Sequence, residues 1–297
     1  IMLSGVKESS ESLQEKNALL LVSKLANSPE FSCGDSFGTS KTNCVDLDKA
    51  IALKNNIELY EGFWKDVESI EIRKIYPYTE NTRTCTINNY PDCEIMRIKS
   101  QEISGEYIGN FVSLCRKESN GNRAYDNCEI GKLMVSYAMN KSRKKAQEEM
   151  VGFGLIVMII AVIILVVLGL MFRGGNEREV ESYEINSFID SMLEYTTKCE
   201  DNSGFPIALR NLIRKCTNKE VCSNNLDSCE VLNSTIKGIL EKSWQTGENR
   251  PVKGYQINIT TASGMEIFSE KKGNITHNSK TGFQDISSAQ IKLNIYY

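Results

Sequence analysis

Residues 150–172 read Met150-Val-Gly-Phe-Gly-Leu-Ile-Val-Met-Ile-Ile-Ala-Val-Ile-Ile-Leu-Val-Val-Leu-Gly-Leu-Met-Phe172, a run with no charge and no strongly polar side chain. At about 1.5 Å per residue, a helix of this length just crosses a hydrocarbon layer roughly 30 Å thick. Lipid offers peptide groups no hydrogen-bond partner, so a helix is the conformation expected there. A buried core helix would show a polar face, and this run shows none. The sequence therefore predicts an α+β protein with one transmembrane helix at 150–172 and a helix-plus-antiparallel-sheet domain on each side of it, braced by disulfides. The domains are residues 1–138 and 173–297, with a basic stretch at 139–149.

The flanks set the expected orientation. Lys141, Arg143, Lys144 and Lys145 precede the run, whereas Arg173 is followed by Gly174, Gly175, Asn176 and Glu177. Excess Lys and Arg stays on the cytoplasmic side. The expectation is a single-pass protein of the cell membrane with its C-terminal domain extracellular.

The segment Asn140-Lys-Ser-Arg-Lys-Lys-Ala-Gln-Glu-Glu-Met150, followed at once by the apolar run, resembles the class III signal peptide of archaeal type IV pilin-like proteins. An ordinary secretory leader instead places its cleavage site after a shorter apolar stretch. The resemblance implies cutting by a prepilin-type signal peptidase at Lys144-Lys145-Ala146-Gln147, after Ala146. It also implies that the apolar run is both a membrane anchor among lipids and the contact with other pilin-like subunits. Many such pilins carry Glu five residues into the mature chain. Counted from Gln147 that position is Val151, and the candidate assembly carboxylates are Glu148 and Glu149.

The 297 residues carry a formal net charge of −3 and ten cysteines. A balance this close to neutral, without further Lys/Arg runs, gives no support for a nucleic-acid partner. Cys33, Cys44, Cys85, Cys93, Cys115 and Cys128 precede the run, and Cys199, Cys216, Cys222 and Cys229 follow it. An even number on each side, spread through polar sequence, reads as a disulfide framework from an oxidising compartment. No CxxC pair occurs and His277 is the one histidine, so no metal site is expected. The connectivity cannot be deduced. One membrane crossing would nevertheless put the two cysteine-rich flanks on opposite sides. Ile1-Met2-Leu3-Ser4-Gly5 reads like the end of a membrane segment, and Met139 would serve as the start of a new protein. Two adjacent pilin-like proteins read as one chain would resolve the conflict.

Along the chain, Leu13, Ala18, Leu21 and Leu25 follow helical spacing over residues 6–27, which Ser28-Pro29 ends. Asp46 is placed to cap a short helix through Ala50, Ile51 and Leu53. Ser69–Arg73 alternates as a strand, and further strands are expected at Glu94–Lys99, Tyr107–Arg116 and Ile130–Tyr137, with a turn at Ser119–Asn122. After the apolar run, helices are expected over Glu177–Cys199, Phe205–Cys216 and Cys229–Trp244. Strands follow at Tyr255–Thr260, Met265–Ile267 and Ile291–Ile295, and a polar loop at Lys271–Ser288. The second half repeats the plan of the first without a residue-level repeat.

Asn233, Asn258 and Asn274 open sequons and are candidate glycosylation sites, of which Asn258 and Asn274 are placed better. No catalytic constellation, phosphate loop or cofactor motif is present, and His277 reads as a solvated loop residue. The expected function is that of a non-enzymatic, membrane-anchored pilin-like surface protein, a structural or adhesive filament subunit or minor pilin. The alternative is a single-pass receptor or binding module with a cytoplasmic N-terminal domain.

Overall fold

The computed structural model describes residues 19–34, 41–60, 62, 64, 67–80, 82–100, 107–121, 123–137 and 180–297. Among them, no helix is long and apolar enough to cross a membrane, and the run at 150–172 lies outside the described residues. The expected architecture of one transmembrane helix between two helix-plus-antiparallel-sheet domains is therefore corrected. What the described residues form is an α+β fold with three sheets and five disulfides. Both large sheets are mixed, and the two halves share one core.

In the first half, helix α1 (residues 19–26) leads to strand β1 (Cys44–Asp46) and helix α2 (Leu47–Asn55). Asp46 caps α2 as its sequence position suggested, its carboxylate accepting from the Asp48 and Lys49 amides at 3.0 and 3.1 Å. Strands β2 (Val67–Tyr76), β3 (Ile95–Ser100), β4 (Ile108–Asn120) and β5 (Arg123–Tyr137) follow. The β4–β5 hairpin turns at Gly121, whose φ of +68° suits glycine. Sheet 1 runs β1-β4-β5-β2-β3, with β1 parallel to β4 and all other pairs antiparallel. One face buries Ile70, Ile72, Met96, Leu114, Leu133 and Val135 with the apolar sides of α1 and α2.

The second half opens with β6 (Val180–Glu181) and helix α3 (Tyr183–Glu194), then a small β7 (Thr196–Glu200) and β8 (Pro206–Ala208) pair. Helices α4 (Leu209–Thr217) and α5 (Ser228–Ser243) precede β9 (Gly254–Thr260), β10 (Glu266–Gly273), β11 (Ser279–Ile286) and β12 (Ala289–Tyr296). Three sequence expectations shift here. The first helix stops at Glu194, and Cys199 lies in a strand, in keeping with the β-branched pair Thr196-Thr197. Pro206 begins an edge strand rather than a helix. The polar stretch expected to be a loop contains β11.

Sheet 2 runs β6-β11-β12-β9-β10, with β6 parallel to β11. Numbered in chain order within each large sheet, the five strands of both halves follow the same order, 1-4-5-2-3, and in both the first strand is the parallel edge and feeds a helix. The architectural repeat seen in the sequence is thus a repeat of topology.

Candidate interface between the two halves

Helix α3 buries Ile185, Phe188, Ile189, Met192 and Leu193, the apolar face expected from its spacing, but it also buries Ser187 and Ser191. Two buried faces require two packing surfaces. The apolar residues belong to the core with Ile257, Ile291, Leu293 and Ile295 of sheet 2, and that same core takes in Phe111 and Ile130 of sheet 1. Ser187 meets sheet 1 directly: its Oγ accepts from Asn110 Nδ2 at 2.9 Å and from Asn43 Nδ2 at 3.4 Å. Small side chains one turn apart let the helix lie close to the sheet, and Ser191 Oγ disposes of its own proton on the Ser187 carbonyl at 2.7 Å.

Aromatic rings fill the centre of the junction. Phe111 sits 4.9 Å from Phe188 and 5.3 Å from Trp244 between ring centroids, and Phe188 and Trp244 meet edge-on at 5.5 Å. Such tilted and edge contacts suit the ring quadrupoles. Tyr76 of β2 packs on Tyr195 at 5.2 Å and closes on Gly238 of α5, where an added Cβ would stand 2.8 Å from the tyrosine oxygen. Burial pushes the hydroxyls of both tyrosines above the ordinary tyrosine range.

Around this centre lies a polar and charged rim. The Cys128 amide donates to Thr196 Oγ1 at 2.8 Å, and that hydroxyl donates to the Asp126 carbonyl at 3.1 Å. Lys132 pairs with Glu184 at 3.2 Å while its ammonium stands 4.2 Å over the Phe111 ring. Lys41 reaches Glu194 at 3.7 Å, Lys242 lies over the Tyr78 ring at 4.2 Å, and Tyr183 bonds Ser23. Asp190 of α3 is pushed up to about 6, first by burial and then by the Glu194 charge, against the opposing pull of Arg210 and an Asn43 hydrogen bond.

The ten cysteines pair as Cys33–Cys44, Cys85–Cys93, Cys115–Cys128, Cys199–Cys222 and Cys216–Cys229. Every bridge closes within its own half. The sulfurs of Cys33, Cys44 and Cys115 lie within 4.8 Å of one another, but sulfurs held in S–S bonds present no thiolate to a metal. Lys144, Lys145, Ala146, Gln147, Glu148 and Glu149 lie outside the described residues. Asn233 is exposed on α5, Asn274 is exposed just after β10, and Asn258 is half-buried in β9, where its Oδ1 accepts from Ser269 at 2.9 Å. Asn233 and Asn274 are therefore accessible, whereas Asn258 is already engaged in the sheet. His277 is exposed. An open groove of about 380 Å³ beside α2 is lined by Pro29, Glu30, Lys49, Leu59 and Tyr60 among others.

The sequence reading missed this junction. Its visible signals were the pair Ser187/Ser191 opposite an apolar helix face, and Phe111, which alternates with Val112 and Leu114 and so faces away from α2. No family model matches this chain, nor does any curated protein or solved structure.

Proposed function

We propose that this is a non-enzymatic surface protein of the pilin-like kind, a structural or adhesive subunit that works in an oxidising, extracytoplasmic compartment. One observation carries this reading: all the cysteines are paired, three bridges in one half and two in the other, and the halves share a core. Halves packed together occupy one compartment, and that compartment must sustain disulfides on both. This counts against the rival receptor arrangement, in which residues 1–138 are cytoplasmic. It also favours a chain whose halves come to the same side of the membrane, as cutting after Ala146 by a prepilin-type peptidase would permit. Association with lipid rests on the apolar character of residues 150–172, and association with other pilin-like subunits on the leader resemblance.

The test is thiol labelling of denatured, unreduced protein from its native source, with N-terminal sequencing of the same material. The expected result is no labelled thiol and an N-terminus at Gln147. Free thiols confined to Cys33, Cys44, Cys85, Cys93, Cys115 and Cys128 would return the first half to a reducing compartment and overturn the proposal.

A further inference from the structure

We infer that the two halves are separable partners, and that the back of sheet 1 is a recognition surface whose occupant is the module formed by residues 180–297. Three independent features of the described residues point there. No disulfide joins the halves. No strand of one half enters a sheet of the other, so each half has a closed set of backbone hydrogen bonds in its own five-stranded sheet. The same strand order in both halves means that each is a complete unit of one topology rather than a fragment completed by its neighbour.

What does join them has the anatomy of an association surface. Its centre is the desolvated aromatic group Phe111, Phe188 and Trp244, the residue types that dominate binding in the middle of stable interfaces. Beside it, Asn110 and Asn43 meet Ser187 and fix the register of the helix on the sheet. Lys132–Glu184 and Lys41–Glu194 form the charged rim. The packing is front to back: the helical side of the second unit meets the bare sheet side of the first. The surfaces are therefore unlike, and the complementarity selects one copy of each unit. This inference stands whether or not the surface-protein reading holds.

The experiment uses the full chain with a site-specific protease sequence in place of residues 140–146. After cutting, native mass spectrometry and gel filtration without reductant are expected to show both fragments in a 1:1 complex with the mass of the uncut chain. Urea should separate them, and so should detergent on a non-reducing gel. Fragments that part in native buffer at micromolar concentration, that stay together through a disulfide, or that run as a two-plus-two assembly would each overturn the inference. Gly238→Leu places a side chain against Tyr76 while favouring the α5 helix within its own half. In the cut protein it should weaken association at least tenfold. The uncut variant should keep its five disulfides and its far-ultraviolet circular dichroism, which separates a blocked interface from a misfolded half. Unchanged association in the cut variant would show that the assigned surface is not what holds the halves together.

Discussion

Sheet 1 lies under α1 and α2 on one face and against α3 and Trp244 on the other, whereas sheet 2 is covered by helices on one face and open on the other. The strand orders are the same, so topology does not cause the difference. Side chains do. The back of sheet 1 offers Phe111 and Ile130 to a partner. The back of sheet 2 offers Gln256, Asn258, Lys292 and Asn294, tied into side-chain pairs such as Thr281–Asn294 at 2.8 Å and Ser269–Asn258 at 2.9 Å. Both faces even carry a Phe with a Lys directly across the ladder, Phe111 with Lys132 and Phe283 with Lys292. Phe111 is fully buried, and Phe283 remains 44% exposed. Among the described residues, the front-to-back stack therefore ends at two units, because the back of the second sheet is a polar ladder.

The largest effect should come from the aromatic that the two halves share. Phe111→Ala removes a fully buried ring from the common core, and such truncations cost about 3–5 kcal/mol. Phe283→Ala on the open face should stay within about 0.5 kcal/mol, as surface changes do. Urea unfolding followed by backbone circular dichroism and by tryptophan emission, from Trp64 and Trp244 together, measures both. Equal losses for the two variants would break the distinction between a docked and an open sheet face.

A second test concerns how each unit is braced. Cys199–Cys222 spans 23 residues and ties β7 to the segment between α4 and α5. Loop-closure entropy for a span of this size corresponds to about 3 kcal/mol. The double variant Cys199→Ser, Cys222→Ser should lose roughly that amount in urea. Cys85–Cys93 closes a separation of only 8 residues, so its double serine variant should lose somewhat less. A reversed order would mean that the second unit draws its stability from the shared core rather than from its own bridges.

The open face explains why two strands of the second sheet show so plain a pattern. Tyr255–Thr260 and Ile291–Ile295 alternate strictly because only one of their faces is buried, and both strands appear where the alternation put them. Strand β11 escaped because its sequence, Ser279-Lys-Thr-Gly-Phe-Gln-Asp-Ile286, shows little apolar character. Gly282 faces α3, where a Cβ would stand 2.5 Å from Ile185 Cγ2. Close helix approach removed the side chain that would have marked the strand. The second buried face of α3 was equally hidden, since serines at 187 and 191 read as solvent-facing until sheet 1 is placed over them. Cysteine parity foretold bridging, but pairing depends on which strands become neighbours. Cys115 and Cys128 face one another across β4 and β5, and only the ladder register reveals that.

The smallest effect concerns Asp190, on the helix that lies between the two sheets. Its carboxyl is raised from 3.8 to about 6, chiefly because burial disfavours the charge, with Glu194 adding to the rise and Arg210 opposing it. A folded-state value above the unfolded one means that the native state holds its proton more tightly. The associated stability is fully present below about pH 3.8 and is lost as pH rises through about 6. Asp190→Asn keeps the shape and the capacity to hydrogen-bond Asn43 while removing the titration. It should match the parent near pH 4 and exceed it near pH 7.5 by the order of 1 kcal/mol, after allowance for solvent at the partly open carboxylate. Glu94, Glu118 and Asp126 are shifted downward and destabilise both proteins alike as pH falls, so the difference between urea midpoints isolates Asp190. A variant less stable than the parent at pH 7.5 would mean that the Arg210 attraction outweighs burial, and that the α3 face toward the first half tolerates a charge which the packing of the two sheets says it should resist.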